Sequence, residues 1–327
     1  MNNTGSARLV FNPKLNQLGK KKELRHGLSV VVQVGDTLWV ANDETLSLER
    51  LARQQDSPAS APTYSQHTQF ALNDYLRLPV PPPADPDDKE QIEEADLEGL
   101  DYHDGYLWLV GSHSRKRGKL DEEDAKDPVE QNFKRLAKVS SEGNRFLLAR
   151  IPLVETTYTL EQEVQQGGTK RTAAQLHGDH TGNELTDALA KDDHLRSFLA
   201  IPGKDNGFDI EGLAVAGDRV FVGLRGPVLR GWAVILELEL EENNASTLKL
   251  KQIGPDNRLY RKHFLDLGGL GIRDLCVQGP DLLILAGPTM DLDGPVTIFR
   301  WPEGTQPNEE RVVFEAALAT VMDIPFG

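Results

Sequence analysis

Paired carboxylates stand at the same place in two copies of a repeated string. Asp96 and Glu98 lie in Asp-Leu-Glu-Gly-Leu. Asp209 and Glu211 lie in the matching Asp-Ile-Glu-Gly-Leu, and Asp274 comes from a further copy. Residues two apart on a β-strand point to one side of it, so each pair presents its carboxyl groups together. Because like charges so close stay ionised only beside a cation, these residues predict a site for a hard divalent ion, Ca²⁺ or Mg²⁺.

Cationic side chains near the same strings predict an anionic ligand. The candidates to hold its phosphate or carboxylate group are Arg115, Lys204, Arg225 and Arg273. In that arrangement the metal polarises the bond to be broken. His113, which stands between two serines, is the candidate general base. The structural alternative is that the carboxylates accept backbone N–H groups or pair with arginines of a neighbouring repeat, which fixes the register of the repeats without any ligand.

The strings belong to a hairpin pattern that recurs four times along the chain. Asp-Gly or Gly-Asp between β-branched and aromatic runs is a strong hairpin signal, because these residues tolerate the positive φ of a tight turn. The turns are Gly35-Asp36, Asp104-Gly105, Gly217-Asp218 and Gly279-Pro280-Asp281. The further strands predicted after the hairpins are Gln69–Leu78 with its predecessor, Arg135–Val139 with Phe146–Pro152, Ala233–Leu240 with Thr247–Ile253, and Val296–Trp301 with Arg311–Phe314.

Four antiparallel strands per repeat predict an all-β fold, a β-propeller of four-stranded blades. Repetition of whole four-stranded units argues against the rival architecture, a double β-sandwich. In a blade, the start of the first strand and the end of the second share one rim. The carboxylates and cationic residues of all repeats are therefore expected to meet near the axis. Residues 7–11 are expected to supply a closing strand.

The repeats are spaced unevenly, which indicates insertions. The leucines that anchor the hairpins lie further apart than the roughly 40 to 50 residues of compact propeller repeats. We therefore predict a single propeller domain over 1–327, of about five to seven blades, with insertions near 79–95 and 153–205. Leucines and alanines at helical spacing predict one helix in the second insertion, Glu184–Ala200, opened by a capping box that starts at Thr181.

Composition excludes several partners and enzyme classes. The chain has 36 Lys and Arg against 51 Asp and Glu, and its net charge of −15 repels phosphate backbones and anionic membranes, so we expect neither nucleic acid nor membrane as a partner.

Cys276 is the single cysteine, which rules out an intramolecular disulfide. Residues 1–22 lack the apolar stretch of an export signal, which predicts a soluble, cytoplasmic protein. The sequence has no P-loop, dinucleotide fingerprint, nucleophile elbow or Cys/His zinc pattern.

A set of strings carries a resemblance to a known family. They are Asp96-Leu-Glu-Gly-Leu100, Gly111-Ser-His-Ser-Arg115, Pro202-Gly-Lys-Asp-Asn-Gly207, Asp209-Ile-Glu-Gly-Leu213, Gly223-Leu-Arg-Gly-Pro-Val228 and Gly269-Leu-Gly-Ile-Arg-Asp274. With them the chain resembles the bacterial domain-of-unknown-function family 3616 over nearly its whole length. The resemblance implies a propeller similar to the looser group that includes esterase-like phytase domains. It implies no activity, because that family has none assigned and a fold alone does not fix a function.

Two kinds of function stay open at the level of the sequence. The first is a metal-assisted hydrolase of a small phosphoester or ester, or a binder of a small anionic ligand, at the axial rim. The alternative is a non-enzymatic propeller that binds a small molecule or another protein through loops such as Pro79–Ala95 and Leu153–Asn183. A metal held by the carboxylates favours the first, whereas carboxylates paired with arginines favour the second.

Overall fold

Strands dominate the structure, and its helices are few and short. A computed structural model describes residues 6–19, 22–83, 93–290 and 293–324. The strands of the first half of the chain are β1 (Arg8–Leu9), β2 (Leu28–Val34), β3 (Thr37–Asn42), β4 (Ser47–Arg53), β5 (Thr63–Ala71), β6 (Leu97–His103), β7 (Tyr106–Gly111), β8 (Lys116–Arg117), β9 (Val139–Ser140), β10 (Leu148–Val154), β11 (Thr159–Leu160), β12 (Glu163–Gln166) and β13 (Thr169–Thr172). Those of the second half are β14 (Ala174–Leu176), β15 (Gly178–Asp179), β16 (Gly182–Asn183), β17 (Asp209–Ala216), β18 (Arg219–Gly226), β19 (Trp232–Asn244), β20 (Thr247–Leu250), β21 (Arg261–Asp266), β22 (Gly271–Gln278), β23 (Asp281–Gly287), β24 (Val296–Trp301), β25 (Arg311–Val313) and β26 (Ala319–Ile324). The α-helices are α1 (Val129–Ala137) and α2 (Glu184–Leu189), and the 3₁₀ turns are Leu24–His26, Leu72–Asp74, Glu122–Lys126, Gly143–Phe146, Arg196–Phe198, Gly203–Asp205, Pro255–Asn257 and Glu315–Ala317.

Most strands in the described ranges form four antiparallel meanders of four strands each. The first contains β2, β3, β4 and β5, the second β6, β7, β10 and β14, the third β17, β18, β19 and β21, and the fourth β22, β23, β24 and β26. The first strand of each meander packs beside the first strand of the next. The fold is therefore all-β with strongly curled sheets, while the blade number of about five to seven stays a prediction.

The hairpin turns form where the sequence predicts them. Asp104 and Gly105 both have positive φ, 46° and 77°, as a tight two-residue hairpin requires. Gly35, Gly217 and Gly279 take φ of 55°, 62° and 61° at the other turns. Turn chemistry thus sets the register of the strand pairs β2–β3, β6–β7, β17–β18 and β22–β23.

Three buried hydrophobic clusters lie between successive meanders and hold them together. Side chains alternate along β7, so Leu107 and Leu109 pack toward the first meander with Trp39, and Trp108 and Val110 pack toward the third. Because both faces of this sheet are covered, β7 is apolar at every position. Burial of each such side chain contributes ~1.5–3 kcal/mol.

The outer edge of three meanders is covered by a parallel strand. β1 pairs with β5 of the first meander, β20 with β14 of the second, and β25 with β21 of the third. β20 and β25 each come from the stretch of chain that also forms the following meander. The strand expected from residues 7–11 is therefore present as β1, and it lies on the outer edge of the first meander.

Two predicted strand pairs differ from those observed. Arg135 to Ala137 lie in α1, and β10 pairs instead with β14. Arg311–Val313 does not pair with Val296–Trp301, because β24 takes β26 as its partner and β25 joins the third meander. Short strands carry too little periodicity to choose a partner, so long-range packing decides the pairing.

The helix predicted over Glu184–Ala200 is shorter than expected, because α2 ends at Leu189. The Asp192 carboxylate accepts the backbone N–H groups of His194 and Leu195, which turns the chain. The observed capping box joins Asn183 to Thr186, two residues after the predicted start. None of the helices in the described ranges is long and apolar enough to cross a membrane.

Candidate functional site

A β-bulge interrupts the first strand of every meander near its start. The residues left between paired positions are Ser29, Glu98, Glu211 and Arg273. A bulge residue is unpaired on its strand, and its side chain is re-aimed. Ser29 Oγ donates to the carbonyl of Leu97 in the next meander at 2.5 Å. Arg273 Nε lies 2.8 Å from Glu211 Oε2, so the bulge side chains link neighbouring meanders.

The glycine after each paired carboxylate lets neighbouring first strands approach closely. A Cβ atom on Gly99 would lie 2.6 Å from Cβ of Leu213, and one on Gly212 would lie 2.8 Å from Cγ of Leu275. Real side chains do not tolerate such contacts. The glycine and leucine of the repeated string therefore fit together across meanders, and this fit brings the carboxyl groups of the second and third meanders side by side.

Arg225 neutralises the carboxylates of the third meander. It pairs with Asp209, and its Nη1 lies 2.7 Å from Glu211 Oε1. Glu211 in turn pairs with Arg273, so one carboxylate joins two arginines. All of these groups except Arg273 are buried. Charges taken out of water persist only when they are paired in this way.

Arg145 does the same for the second meander, although no sequence pattern predicts it. This guanidinium is only 4% exposed. Its Nη1 lies 2.5 Å from Asp96 Oδ2 and donates to Ser114 Oγ at 2.8 Å. Its Nε lies 3.1 Å from Glu142 Oε2. An arginine in a short turn before an apolar strand normally reads as exposed, so its burial could not be foreseen.

Glu98 is half-buried, and it differs from its neighbours because its carboxyl group has no hydrogen-bond or ion-pair partner in the part of the chain that the structure describes. Burial raises the pKa of Glu98 well above its usual range, and the charges of Asp96, Glu211 and Asp209 raise it further. Arg225 opposes this shift without reversing it. Glu98 thus needs a proton or another positive charge that the described residues do not provide.

Burial also raises the pKa of the paired carboxyl groups. The pKa of Asp209 is raised to about 6, with Arg225 opposing the effect of burial. The pKa of Glu211 is raised to about 7 for the same reason. These groups share one set of charges and titrate together rather than independently.

Asp43 adds a further acidic group beside Asp96. Its Oδ1 is buried and has no hydrogen-bond partner among the described residues. Burial raises the pKa of Asp43 to about 6, and the charges of Asp96, Glu44 and Glu94 contribute. In this rim cluster, as far as the structure describes it, carboxyl groups outnumber cationic groups. Its carboxyl groups are Asp43, Glu94, Asp96, Glu98, Glu142, Asp209 and Glu211, and its cationic groups are Lys116, Arg145, Arg225 and Arg273.

Asp274 lies apart from this rim cluster, beside Asp101. Burial raises the pKa of Asp274 to about 7, the N–H of Leu275 opposes the shift, and the charge of Asp101 adds to it. Burial likewise raises the pKa of Asp101 to about 6, although its carboxylate accepts the N–H of Val215 at 2.6 Å. The five carboxylates grouped by the sequence thus separate into two sets.

His113 is buried and fully hydrogen-bonded. Its Nδ1–H donates to the carbonyl of Gly111 at 2.8 Å, and its Nε2 accepts from Asn183 Nδ2 at 2.7 Å. Burial lowers the pKa of His113 to about 4, so the ring is neutral near pH 7. Both nitrogens are engaged, which favours a role in holding the loop after β7 over a role as general base.

The other predicted contacts to a ligand lie at the surface. Arg115 and Lys204 are exposed, and Arg115 Nε donates to the carbonyl of Leu199. Gly203, beside Lys204, packs against Asp209, where a Cβ atom would lie 2.3 Å from Oδ2. Asp291, which the repeat also places at this rim, lies outside the described residues.

Metal-binding geometry is not formed in the described ranges, where no three or more His, Cys, Asp or Glu side chains are arranged to hold an ion. The carboxylates of Asp96, Asp209 and Glu211 instead face guanidinium groups. The predicted Ca²⁺ or Mg²⁺ site stays a prediction.

Comparison with known proteins identifies the family of the chain but no related protein of known function. No curated protein matches the chain. Among solved structures, apo AztD from Citrobacter koseri matches with 10% sequence identity over 91% of this chain and 74% of that one, at a TM-score of 0.24, which is too low to carry an argument. The sequence model described as "Protein of unknown function (DUF3616)" matches residues 27–327. The chain therefore belongs to the DUF3616 family.

Proposed function

We propose that the four meanders are blades of a β-propeller and that the bulge residues face its central axis. The packing of successive first strands and the shared bulge position support this arrangement. In propellers the first strand of each blade lines the axis, so equivalent positions of all blades converge there.

We further propose that the rim cluster binds a small positively charged ligand. The observation that carries this proposal is the Glu98 carboxyl group, which lies among other carboxyl groups without a partner of its own in the described chain. A carboxylate left unpaired among like charges is unfavourable, and native proteins retain one mainly where a ligand or proton completes it.

An ammonium group fits this cluster better than an anion does. Arg225 and Arg145 are already paired with Asp209 and Asp96, so a phosphate or carboxylate would have to compete with these carboxylates. An amine needs only a few oxygen acceptors, which Glu98 and the carboxyl groups around it offer. A divalent ion is the second candidate, because the excess of carboxyl groups favours it as well.

Thermal unfolding of the full-length protein at constant ionic strength tests the proposal. We expect putrescine, a small diamine, to raise the unfolding midpoint progressively as its concentration increases, because it binds the folded state. Glu98→Gln keeps the shape of the side chain but removes its charge, and should abolish the effect. Glu163→Gln, on the exposed β12, is the matched control and should retain it.

Parallel titrations with Ca²⁺ and Mg²⁺ separate the two candidates. Stabilisation by a divalent ion but not by putrescine, lost in Glu98→Gln, would identify the ligand as a metal. The cation-binding proposal is wrong if no cation stabilises the wild-type protein, or if Glu98→Gln responds as the wild-type protein does.

A further inference from the structure

A second site lies away from the rim cluster, at the outer side of the third meander. A cavity of about 550 Å³ opens there between the residues that follow α2 and the outer strand β21. Its wall is formed by Lys191, Asp192, His194, Arg258, Lys262 and Phe264, among others. Cavities of this size accommodate small molecules. None of these residues belongs to a motif that predicts a site from the sequence.

Three buried polar side chains form the floor of the cavity. Lys262 is 5% exposed, Asp192 4% and Tyr260 2%. Lys262 Nζ lies 2.6 Å from Asp192 Oδ2, and the Tyr260 hydroxyl donates to the same oxygen at 2.5 Å. Burial alone would raise the pKa of Asp192, but the hydrogen bonds from Lys262 and Tyr260 outweigh it, so the pKa is lowered. Asp192 is therefore a fixed negative charge that holds Lys262 in place.

The protonation of His194 follows from its contact with the same lysine. Lys262 Nζ lies 2.9 Å from His194 Nδ1, and an ammonium group can only donate. Nδ1 is thus the acceptor, and the ring carries its proton on Nε2. The ring also packs against Phe264, with 5.2 Å between centroids. His194 consequently presents an N–H donor at a fixed orientation.

The donors of the cavity exceed what its own acceptors use. Lys262 has three N–H groups, of which two contact Asp192 and His194. Arg258 donates through Nη2 to Glu310 and through Nε to the carbonyl of Pro255, and it also hydrogen-bonds the Tyr260 side chain. Glu310 is also satisfied, because it accepts the backbone N–H of Lys262.

The acidic side chains at the mouth do not change this balance. Asp193 pairs with Arg196 at 3.2 Å, and Asp256 is exposed to solvent. Lys191, also exposed, adds positive charge at the entrance. Apart from these exposed carboxylates at the mouth, the free side-chain groups of the cavity are donors, which favours a ligand that brings acceptors.

We propose that this cavity binds a small molecule through an anionic group, a carboxylate or a phosphate. Lys262 and His194 Nε2–H donate to that group, and the Arg258 guanidinium adds positive charge beside it. An apolar or aromatic part of the molecule packs against Phe264 and Leu259. This site is independent of the rim cluster, because it uses other residues and the opposite ligand charge.

Calorimetric titration of the full-length protein with phenyl phosphate and with benzoate tests this site. We expect saturable binding of at least one of the two probes, and comparing them shows whether phosphate or carboxylate is preferred. Phenol, which has the ring without the anionic group, should bind at least ~10-fold more weakly. The expected loss of affinity in Arg258→Met and in His194→Ala is also ~10-fold or more.

Two matched variants complete the experiment. Arg311→Met removes an exposed arginine of β25 outside the cavity, and Glu98→Gln alters only the rim cluster, so both should bind the probes as the wild-type protein does. Arg258 and His194 are partly exposed, so their variants should fold, which circular dichroism checks. The proposal is overturned if neither probe binds, if phenol binds as tightly, or if Arg258→Met and His194→Ala keep full affinity.

Discussion

The arginines of the rim cluster are each paired with carboxylates. Each arginine there faces a carboxylate that would otherwise be buried alone, and Arg225 serves two of them, Asp209 and Glu211. Removing one of these arginines would leave a buried carboxylate unpaired, and this cost exceeds what the ion pair itself contributes to stability. Glu98 is the contrasting case in the described chain, since it lies among charges without a partner.

Arg225→Met should destabilise the protein strongly. The variant leaves the buried Asp209 without its guanidinium partner and removes one of the two arginines paired with Glu211, which costs ~3–5 kcal/mol. Urea unfolding measures the loss. Arg273→Met, which removes a partly exposed guanidinium with one carboxylate partner, should cost less. Equal costs for the two variants would show that burial of Arg225 does not matter.

At the scale of strands and sheets, one device fixes the outer strand of two meanders. A buried glutamate on the third strand accepts from a buried histidine on the fourth, Glu49 from His67 at 2.6 Å and Glu237 from His263 at 3.1 Å. Nδ1 of each histidine then accepts a backbone N–H of the segment at the outer edge, from Asn12 in one case and Arg311 in the other. The pair thus ties β1 and β25 to their meanders.

His67→Phe should loosen β1 while leaving β25 in place. The variant removes the acceptor for the Asn12 N–H and the donor to Glu49 Oε2, while Ser47 and Gln69 still donate to Oε1, so we expect a loss of ~1–3 kcal/mol. Hydrogen exchange should accelerate at Asn12 and stay slow at Arg311. In His263→Phe, hydrogen exchange should instead accelerate at Arg311 and stay slow at Asn12. Unchanged protection of Asn12 in His67→Phe would contradict this account.

Close packing of first strands depends on the glycine of the repeated string. Gly99→Ala places a Cβ atom 2.6 Å from Leu213, so strands of neighbouring meanders must move apart. We expect a loss of ~1–3 kcal/mol in unfolding free energy. Gly19→Ala is the control, because the nearest atom to its Cβ would lie 3.9 Å away. A neutral Gly99→Ala would mean that the strands are not held at this distance.

At the scale of the whole molecule, many carboxyl groups are perturbed in the same direction. Burial raises the pKa of Asp209 and Asp43 to about 6 and that of Glu211 and Asp274 to about 7. A group with a raised pKa in the folded state stabilises fully below its unfolded pKa, and the contribution is lost as pH rises through the folded value. Asp192 has the opposite sign, and its contribution is lost only as pH falls below the ordinary aspartate range.

The protein should therefore be more stable in mild acid than in mild base. We expect the unfolding free energy to fall by at least ~1 kcal/mol between about pH 5 and about pH 8, measured by urea unfolding at constant ionic strength. Glu98→Gln should flatten the profile, because it removes one carboxyl group with a raised pKa. A profile that rises over this range would contradict the burial of these groups as carboxylic acids.

What the sequence by itself determined is local. Turn residues such as Asp104 and Gly105 fixed the four hairpins, and the repeated string placed Glu98 and Glu211 at equivalent positions near the strand starts. These features depend on φ preferences and strand alternation, which act over a few residues. The DUF3616 family was recognisable from the same strings.

The tertiary structure alone decided which distant groups meet. Arg145 faces Asp96, Asp274 falls beside Asp101 rather than Glu98, and the donors around Lys262 converge on one cavity. Parallel strands from neighbouring stretches of chain cover the sheet edges, and no local sequence pattern predicts this pairing. Such contacts depend on how whole sheets pack, because pairing energies between distant residues are realised only once the hydrophobic clusters between meanders have fixed their positions.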